Sequence, residues 1–152
     1  MVLNNITCWK DVKMEVKVFS SLPKCAKEIR EEVFIKEQGF VHEFDDKDNI
    51  AIHLVVFSEN NLPVATCRIF KDHYQDLYVL GRLAVIKEYR GKNLGSFLIN
   101  EAEKYVKKQN GKGIILHAQK RIINFYKKAG FNEFGNVEYD EGCPHIWMKK
   151  IF

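Results

Sequence analysis

The stretch between Leu77 and Asn110 constrains the fold of this chain more than any other part. It opens with a β-rich run that ends near Val85, continues through a polar loop that contains glycine, and closes with apolar residues at helical spacing. The apolar helical positions are Leu94, Phe97, Leu98, Ala102, Tyr105 and Val106. A strand, a loop and an amphipathic helix in this order predict an α/β architecture in which the helix covers one face of a sheet.

Patterns in the rest of the chain complete a mixed sheet. Pro23 begins a helix that ends near Gly39, and the turn at 60–63 joins two strands into a hairpin. The strands are predicted at 12–19, 53–57, 64–70, 77–85, 113–118, 133–139 and 145–151, and the helices at 23–39, 94–110 and 122–129. The order is β-α-β-β-β-α-β-α-β-β, in which the β-α-β unit from Leu77 to Ala118 is parallel. We therefore expect an α/β (mixed α+β) fold with one mixed sheet, helices on both of its faces, and a single domain over residues 1–152.

Composition excludes several classes of protein. With 46% hydrophobic and 29% charged residues the chain is an ordinary soluble globular sequence, which excludes disorder, collagen-like repeats and a coiled-coil rod. Apolar runs such as 53–57 are far shorter than the roughly 20 residues of a membrane-spanning helix, and the polar start of the chain has no signal-peptide core. We therefore expect a cytoplasmic protein without a membrane partner.

The charged residues and the cysteines indicate neither nucleic acid nor metal. A net charge of +4 comes from 24 basic and 20 acidic residues that are mixed along the chain, whereas a nucleic-acid surface clusters its basic residues. No Cys-x-x-Cys pair and no histidines at zinc-finger spacing accompany the four cysteines, which are Cys8, Cys25, Cys67 and Cys143. We expect these thiols to be reduced and buried.

The loop that opens the central helix suits an anion. It runs from a strand through Arg90-Gly91-Lys92 into the helix, whose first backbone N–H groups have no helical partner. A Walker A loop would need Ser or Thr where Asn93 stands, and no Gly-x-Gly-x-x-Gly motif occurs, so neither ATP nor NAD is indicated. An alternative, in which Gly91 and Gly95 serve only a turn and close packing, stays open.

Several short motifs resemble one superfamily. Arg90-Gly91-Lys92-Asn93-Leu94-Gly95 resembles the Arg/Gln-x-x-Gly-x-Gly/Ala signature of the GNAT acetyltransferases, with Asn93 where that superfamily usually has glycine. Asparagine tolerates the left-handed backbone better than most residues. Residues 124–131 are similar to the second half of the superfamily's second motif. Four further segments resemble the ElaA-like branch of that superfamily, namely residues 34–39, 45–48, 53–56 and 141–148. Taken together, the resemblance to the superfamily covers roughly residues 14–149.

The resemblance implies a GNAT-like fold and an acetyltransferase. Such an enzyme moves the acetyl group of acetyl-CoA, its cosubstrate, onto a primary amine of a small molecule or peptide by direct attack in a ternary complex, without a metal. By analogy, one strand would face the pantetheine arm and donate an amide to the thioester carbonyl, and the loop would bind the pyrophosphate. The implied cofactor-binding residues are Leu83, Ala84, Val85, Arg90, Gly91, Lys92, Asn93, Leu94, Gly95, Ser96 and Asn124.

Proton transfer requires an acid and a base. Tyr126 is the candidate general acid, since a phenol and the departing thiol have similar pKa values, about 10 and about 8.5. A primary amine with a pKa near 10 is mostly protonated at pH 7, so a base should help to remove its proton. Glu37 and His145, which lie in the ElaA-like segments, are the leading candidates for that base. Direct loss of the proton to water stands equally with them, and His53 and His117 are further alternatives.

Other features leave alternatives open. An acidic run, which would either attract a cationic amine or form a solvated loop, consists of Glu43, Asp45, Asp46 and Asp48. Arg68 and Arg82, on adjacent predicted strands, would pair with a substrate carboxylate or with neighbouring acids, and the internal pairs are favoured. At the level of function, a non-catalytic acyl-CoA binding or sensing module is the alternative to an enzyme, and an RNA-binding or interaction domain is a third. Exposed final strands would also permit a homodimer.

Overall fold

The chain folds into one sheet with helices packed against it. The computed structural model describes residues 3–9, 12–73 and 76–152, with side chains from Lys13 onward. The strands are β1 (Leu3–Trp9), β2 (Val12–Phe19), β3 (Ile52–Phe57), β4 (Pro63–Lys71), β5 (Tyr78–Val85), β6 (Gly113–Gln119), β7 (Asn132–Asp140) and β8 (Cys143–Ile151). The α-helices are α1 (Lys24–Arg30), α2 (Leu94–Lys108) and α3 (Ile123–Lys128), and 3-10 turns lie at Asp46–Asn49, Lys87–Tyr89 and Lys120–Ile122.

The sheet is mixed, as predicted. Its order is β1-β2-β3-β4-β5-β6-β8-β7, and the neighbours are antiparallel except for β5 and β6, which are parallel. The strand β1 was not predicted. It pairs with β2 from Leu3 opposite Val18 to Trp9 opposite Val12. Its Asn4-Asn5 start has low strand propensity, so the ladder with β2, rather than the local sequence, accounts for this strand.

The helices lie on both faces of the sheet, which confirms the prediction. Successive strand side chains point to opposite faces. In β3, Leu54 and Val56 belong to the apolar core that contains the buried face of α2, whereas Val55 and Phe57 pack in a second cluster with α1. The two helices therefore cover opposite faces of the same strand.

The first helix changes its hydrogen-bond pattern midway. α1 continues directly into a π-helical segment, Glu31–Glu37, and the backbone N–H of Gly39 donates to the carbonyl of Ile35. Helical structure thus ends close to the predicted position, but the π-helical turns were not predicted. Such turns occur often at functional sites, and side chains of this segment line the cleft described below.

The strands β5 and β6 separate after a short parallel ladder. They pair only from Tyr78 to Leu80 on β5, opposite 114–116 on β6, although both strands continue. On the other side of β5, the register with β4 shifts between Thr66 and Arg68. The extra residue is on β5, where Arg82 and Leu83 together lie opposite Cys67, and Arg82 adopts a left-handed backbone with φ of +53°. Because a bulge bends a strand and increases its twist, it turns β5 away from β6 and opens the sheet.

The thiols follow the prediction only in part. Among the cysteines whose side chains are described, Cys67 is fully buried, while Cys25 and Cys143 are half-buried, and all three are free. The side chain of Cys8 lies outside the described residues. In the part of the chain that the structure describes, no helix combines the length and the apolar character needed to cross a bilayer.

Candidate active site

A cleft of about 1030 Å³ occupies the gap between the separated strands. Its walls come from the ends of β5 and β6, the N-terminus of α2, the helix α3, and residues 33–43. Beyond Leu80, no strand that the structure describes pairs with β5 on its β6 side, and Leu83, Ala84 and Val85 line the cleft along that edge. Backbone groups on such an edge that have no partner are free to bind an extended ligand, whereas the carbonyl of Val85 already accepts a hydrogen bond from Arg90.

The anion-binding loop forms one end of the cleft. Gly91 has a φ of +78° with open space beside it, and Asn93 adopts the left-handed conformation expected of asparagine, with a φ of +60°. No described side chain caps the N-terminus of α2, so the first amides of this helix are available to a ligand. Leu94, Gly95 and Ser96 line the cleft together with Arg90, Gly91 and Asn93, whereas Lys92 is exposed and lies over the ring of Tyr89.

Arg90 is held by the protein. Its Nη1 and Nη2 atoms each lie 2.9 Å from an oxygen of Glu37, and its Nε donates to the carbonyl of Val85 at 3.0 Å. The ion pair joins the end of the π-helical segment to the anion-binding loop across the cleft. Both oxygens of Glu37 are therefore occupied, which weakens its case as a base.

Gly95 allows two helices to approach each other. A Cβ atom at this position would lie 2.9 Å from Cζ of Phe125, closer than real contacts allow. Because glycine has no side chain, α3 can pack against the first turn of α2. This contact brings the next residue, Tyr126, to the wall of the cleft.

Tyr126 is buried but borders the cleft. Its side chain is 7% exposed, and its ring makes edge contacts with Phe125 and Phe131. Burial raises the pKa of Tyr126 far above its usual value, so the phenol keeps its proton at neutral pH. Asn124, one position from Phe125, is exposed and does not line the cleft.

Two histidines meet on the opposite wall. Nδ1 of His145 lies 2.8 Å from the carbonyl of Cys143, and because a carbonyl only accepts, Nδ1 carries the proton and Nε2 of the neutral ring keeps its lone pair. His117 lies between His145 and Trp147, with ring centroids 4.9 and 4.7 Å away. Burial, and then the nearby His145, lower the pKa of His117. His53 does not line the cleft; it is 1% exposed and bonds the carbonyl of Asp48.

Hydrogen bonds join residues 38–42 to Gln119 and Glu141. Nε2 of Gln119 donates to Oε1 of Gln38 at 2.8 Å. The backbone N–H groups of Val41 and His42 donate to the carboxylate of Glu141 at 2.8 and 3.1 Å. The segment after the π-helix is thereby joined to the wall formed by β6 and the β7–β8 turn.

Three residues of the acidic run form an ion-pair cluster rather than a solvated loop, and two of them, Glu43 and Asp48, are buried. Arg30 contacts Glu43 and Asp48 at 2.7 Å each, and Arg68 contacts Asp48 at 2.9 Å. Arg82 contacts Glu43 at 3.0 Å, which confirms the favoured internal pairing. Asp45 also pairs with Arg68 and Arg82, whereas Asp46 is exposed. The cluster contains three guanidinium and three carboxylate groups, so its charges balance.

Sequence comparison identifies the family. The chain matches the family described as acetyltransferase (GNAT) domain over residues 21–152. The uncharacterized N-acetyltransferase YjcF of Bacillus subtilis (strain 168) is 36% identical over 126 residues, which cover 80% of this chain and 87% of YjcF. Protein ElaA of Escherichia coli (strain K12) is 30% identical over 128 residues, 81% of this chain and 83% of ElaA. The chain belongs to the GNAT family of acetyltransferases, as its motifs predicted, and is an acyltransferase.

Solved structures show the same fold. The crystal structure of Escherichia coli ElaA has a TM-score of 0.78 at 28% identity, covering 90% of this chain and 99% of that one. An acyl-CoA N-acyltransferase from Pseudomonas aeruginosa shares the fold with a TM-score of 0.80 at 22% identity, over 90% of this chain and 99% of that one. The predicted GNAT-like fold is confirmed, and acetyl-CoA is the acyl donor that this family uses.

Proposed function

We propose that the protein transfers the acetyl group of acetyl-CoA to a primary amine by direct attack in a ternary complex. The strongest support is that the same cleft is lined by the uncapped first turn of α2 and by Tyr126, whose phenol is protonated. An anion bound at the helix N-terminus and a proton donor farther along are what a diphosphate-linked thioester requires.

Residues along the cleft can be assigned to each part of such a substrate. The amides of Gly91 to Ser96 would hold the diphosphate, since they lie at the positive end of the α2 dipole and bring no side chain into the space beside Gly91. The free edge of β5 at 83–85 would hold the extended arm of the cofactor and donate an N–H to the thioester carbonyl. Lys92 and Asn124 are not among the residues that line the cleft, so we assign no role to their side chains.

We assign the proton transfers to two side chains. Tyr126 would donate its proton to the sulfur of the departing thiolate, since burial keeps the phenol protonated across the neutral range and also disfavours the charge of a thiolate beside it. His145 would remove the proton from the amine, since its Nε2 is the free nitrogen of a ring that Cys143 fixes through Nδ1. Glu37 would act indirectly, by orienting Arg90 beside the anion-binding loop.

Two measurements test the proposal. Acetyl-CoA at about 100 times its dissociation constant should stabilise the protein by about 2.7 kcal/mol, which a thermal melting curve detects. Thiol release is then followed over a panel of primary amines, and an enzyme releases CoA only when an accepted amine is present. Stabilisation without release from any amine would favour the acyl-CoA sensing module. Absence of stabilisation at saturating acetyl-CoA would refute both functions.

The organisation of the chain as one domain over residues 1–152, its cytoplasmic location and a homodimer stay predictions from the sequence.

A further inference from the structure

Glu43 is a buried carboxylate that borders the cleft and has no part in the chemistry assigned above. The residue is 4% exposed. Its Oε2 takes both ion pairs, at 2.7 Å from Nε of Arg30 and 3.0 Å from Nε of Arg82. The main-chain carbonyl of Glu43 accepts further bonds from the same two guanidinium groups. These contacts fix the position of the carboxylate, and both of its ion pairs use the same oxygen.

The other oxygen, Oε1, is free. It accepts no hydrogen bond from any residue that the structure describes. In the same part of the chain, the enclosed side-chain atoms that lack a hydrogen-bond partner are Nε of Arg68 and Nε2 of His117, the latter 3.5 Å from a carboxylate oxygen of Glu138. Since Oε1 accepts no such bond and is not among them, it retains some exposed surface, and Glu43 is one of the residues that line the cleft. A carboxylate oxygen in so buried a place gains strongly from a hydrogen-bond donor.

The charges around Glu43 favour a cation as that donor. The nearest cation that lines the cleft, Arg82, is already paired with Glu43 and Asp45. Asp140 also lines the cleft and forms no ion pair with a described residue. The cleft-lining cations without an acidic partner, Arg121 and Lys128, lie on the side of α3. An anionic acceptor would therefore meet no unpaired positive charge at Glu43.

We propose that Oε1 of Glu43 binds the ammonium group of the acceptor amine and positions its nitrogen in the cleft. This inference rests on the proposed function. An ammonium group carries three N–H donors, of which one would bond Oε1 while the others remain for the solvent and for His145. Glu43 would select and position the nitrogen, and removal of the proton stays with His145.

The test measures amine binding rather than turnover. Binding of 2-phenylethylamine, spermidine and aniline to the protein saturated with CoA is followed by calorimetry; the first two are cations at neutral pH and aniline is not. The variant Glu43→Gln keeps the shape of the side chain and removes its charge. Asp45→Asn is the matched control, since Asp45 also pairs with Arg82 but does not line the cleft.

We expect at least one of the two cationic amines to bind the wild-type protein. Glu43→Gln should weaken that binding by about tenfold or more, the size expected when a charged hydrogen bond is lost, and Asp45→Asn by less than about threefold. Failure of both cations to bind, preference for aniline, or equal losses in the two variants would overturn the inference. Acetyl-CoA stabilisation and thiol release report on the proposed function separately, so either idea can fail alone.

Folding is the main risk for Glu43→Gln, because it leaves Arg30 and Arg82 partly uncompensated. Far-UV circular dichroism and a melting curve are therefore recorded for each variant. If Glu43→Gln does not fold, Glu43→Asp replaces it, since the charge stays but the carboxylate is withdrawn by one methylene group. Weaker binding of the cationic amine, with an unchanged affinity for CoA, supports the inference; unchanged amine binding overturns it.

Discussion

Burial decides what Tyr126 can do with its proton. The side chain is enclosed by Phe125 and Phe131, and an ionised phenol in that place would lose most of its hydration. The phenol therefore stays protonated across the neutral range, and its raised pKa makes it a weaker acid than the near match with the thiol in ordinary pKa values would imply. An exposed tyrosine in the same motif would have a less strongly raised pKa and a less defined position.

Replacing Tyr126 with phenylalanine should lower turnover by at least about tenfold, because a positioned proton donor commonly contributes a factor of 10² or more. The affinity for acetyl-CoA should change by less than about twofold, since the ring and its packing remain. Thiol release gives turnover, and a melting-curve titration gives affinity. Tyr105→Phe, in a half-buried tyrosine that packs against Tyr78 away from the cleft, is the control. Wild-type turnover in Tyr126→Phe would remove the residue from its assigned role.

At the level of elements, the contact between α2 and α3 connects the anion-binding loop to the proton donor. α2 presents its first turn, where Gly95 leaves room for Phe125, and α3 continues into Tyr126. Because the two helices touch at a residue without a side chain, a change of one methyl group in α2 is transmitted to α3. The distance between the two functional groups is set by packing rather than by the loop alone.

Gly95→Ala should weaken acetyl-CoA binding by about tenfold, because the new methyl group must displace Phe125 from a contact of 2.9 Å. Its effect on stability should be small, since alanine gains about 1 kcal/mol of helix propensity against a packing cost of about 1–3 kcal/mol. Ser96→Ala is the control; it keeps the backbone N–H and should change the affinity by less than about twofold. A loss in Ser96→Ala as large as that in Gly95→Ala would point to the hydroxyl as the ligand instead.

For the molecule as a whole, the ion-pair cluster joins four separate parts of the chain. Arg30 belongs to α1, Glu43 and Asp48 to the connection that follows the π-helical segment, Arg68 to β4, and Arg82 to the bulge of β5. Burial would raise the pKa of Asp48, but hydrogen bonds from Arg30 and Arg68 outweigh it and lower the pKa from 3.8 to about 2. For Glu43 burial dominates and the pKa is raised.

The free energy of unfolding should therefore depend on Asp48 in acid. Its lowered pKa is worth about 2 kcal/mol of stability, which is complete above the ordinary pKa near 4 and is lost as the pH falls toward 2. Glu43 acts in the opposite direction and offsets part of this loss, since a raised pKa favours the folded state as protons bind. Asp48→Asn should destabilise the protein by about 3 kcal/mol at pH 7, and by about 1 kcal/mol less than that at pH 3.

Urea unfolding at the two pH values measures this difference. The control is Asp46→Asn, in an exposed neighbour that forms no ion pair with any residue the structure describes. It should change the free energy of unfolding by less than about 0.5 kcal/mol at either pH. If Asp48→Asn destabilises equally at pH 7 and pH 3, the carboxylate of Asp48 does not titrate as the ion pairs require.

Local patterns accounted for most of the elements and for the anion-binding loop. The spacing of Leu94, Phe97 and Leu98 depends on neighbours three or four positions away, and the left-handed turn at Asn93 depends on that residue itself. The strand β1 was missed because its ladder with β2, not its own composition, defines it. Tyr126 and His145 were candidates through motif resemblance, but their burial and hydrogen bonds had no local signal.

The sequence by itself determined the family, the order of helices and strands from β2 onward, and the segment that opens α2, since each depends on residues close together in the chain. Only the tertiary structure decided how the cleft is built. Arg90 meets Glu37 across 53 positions of sequence, and Arg82 meets Glu43 across 39. Such ion pairs form because folding removes both charged groups from water, so that each group is best stabilised by the opposite charge of the other. No periodicity encodes that choice, so the roles of Glu37 and Glu43 became visible only in three dimensions.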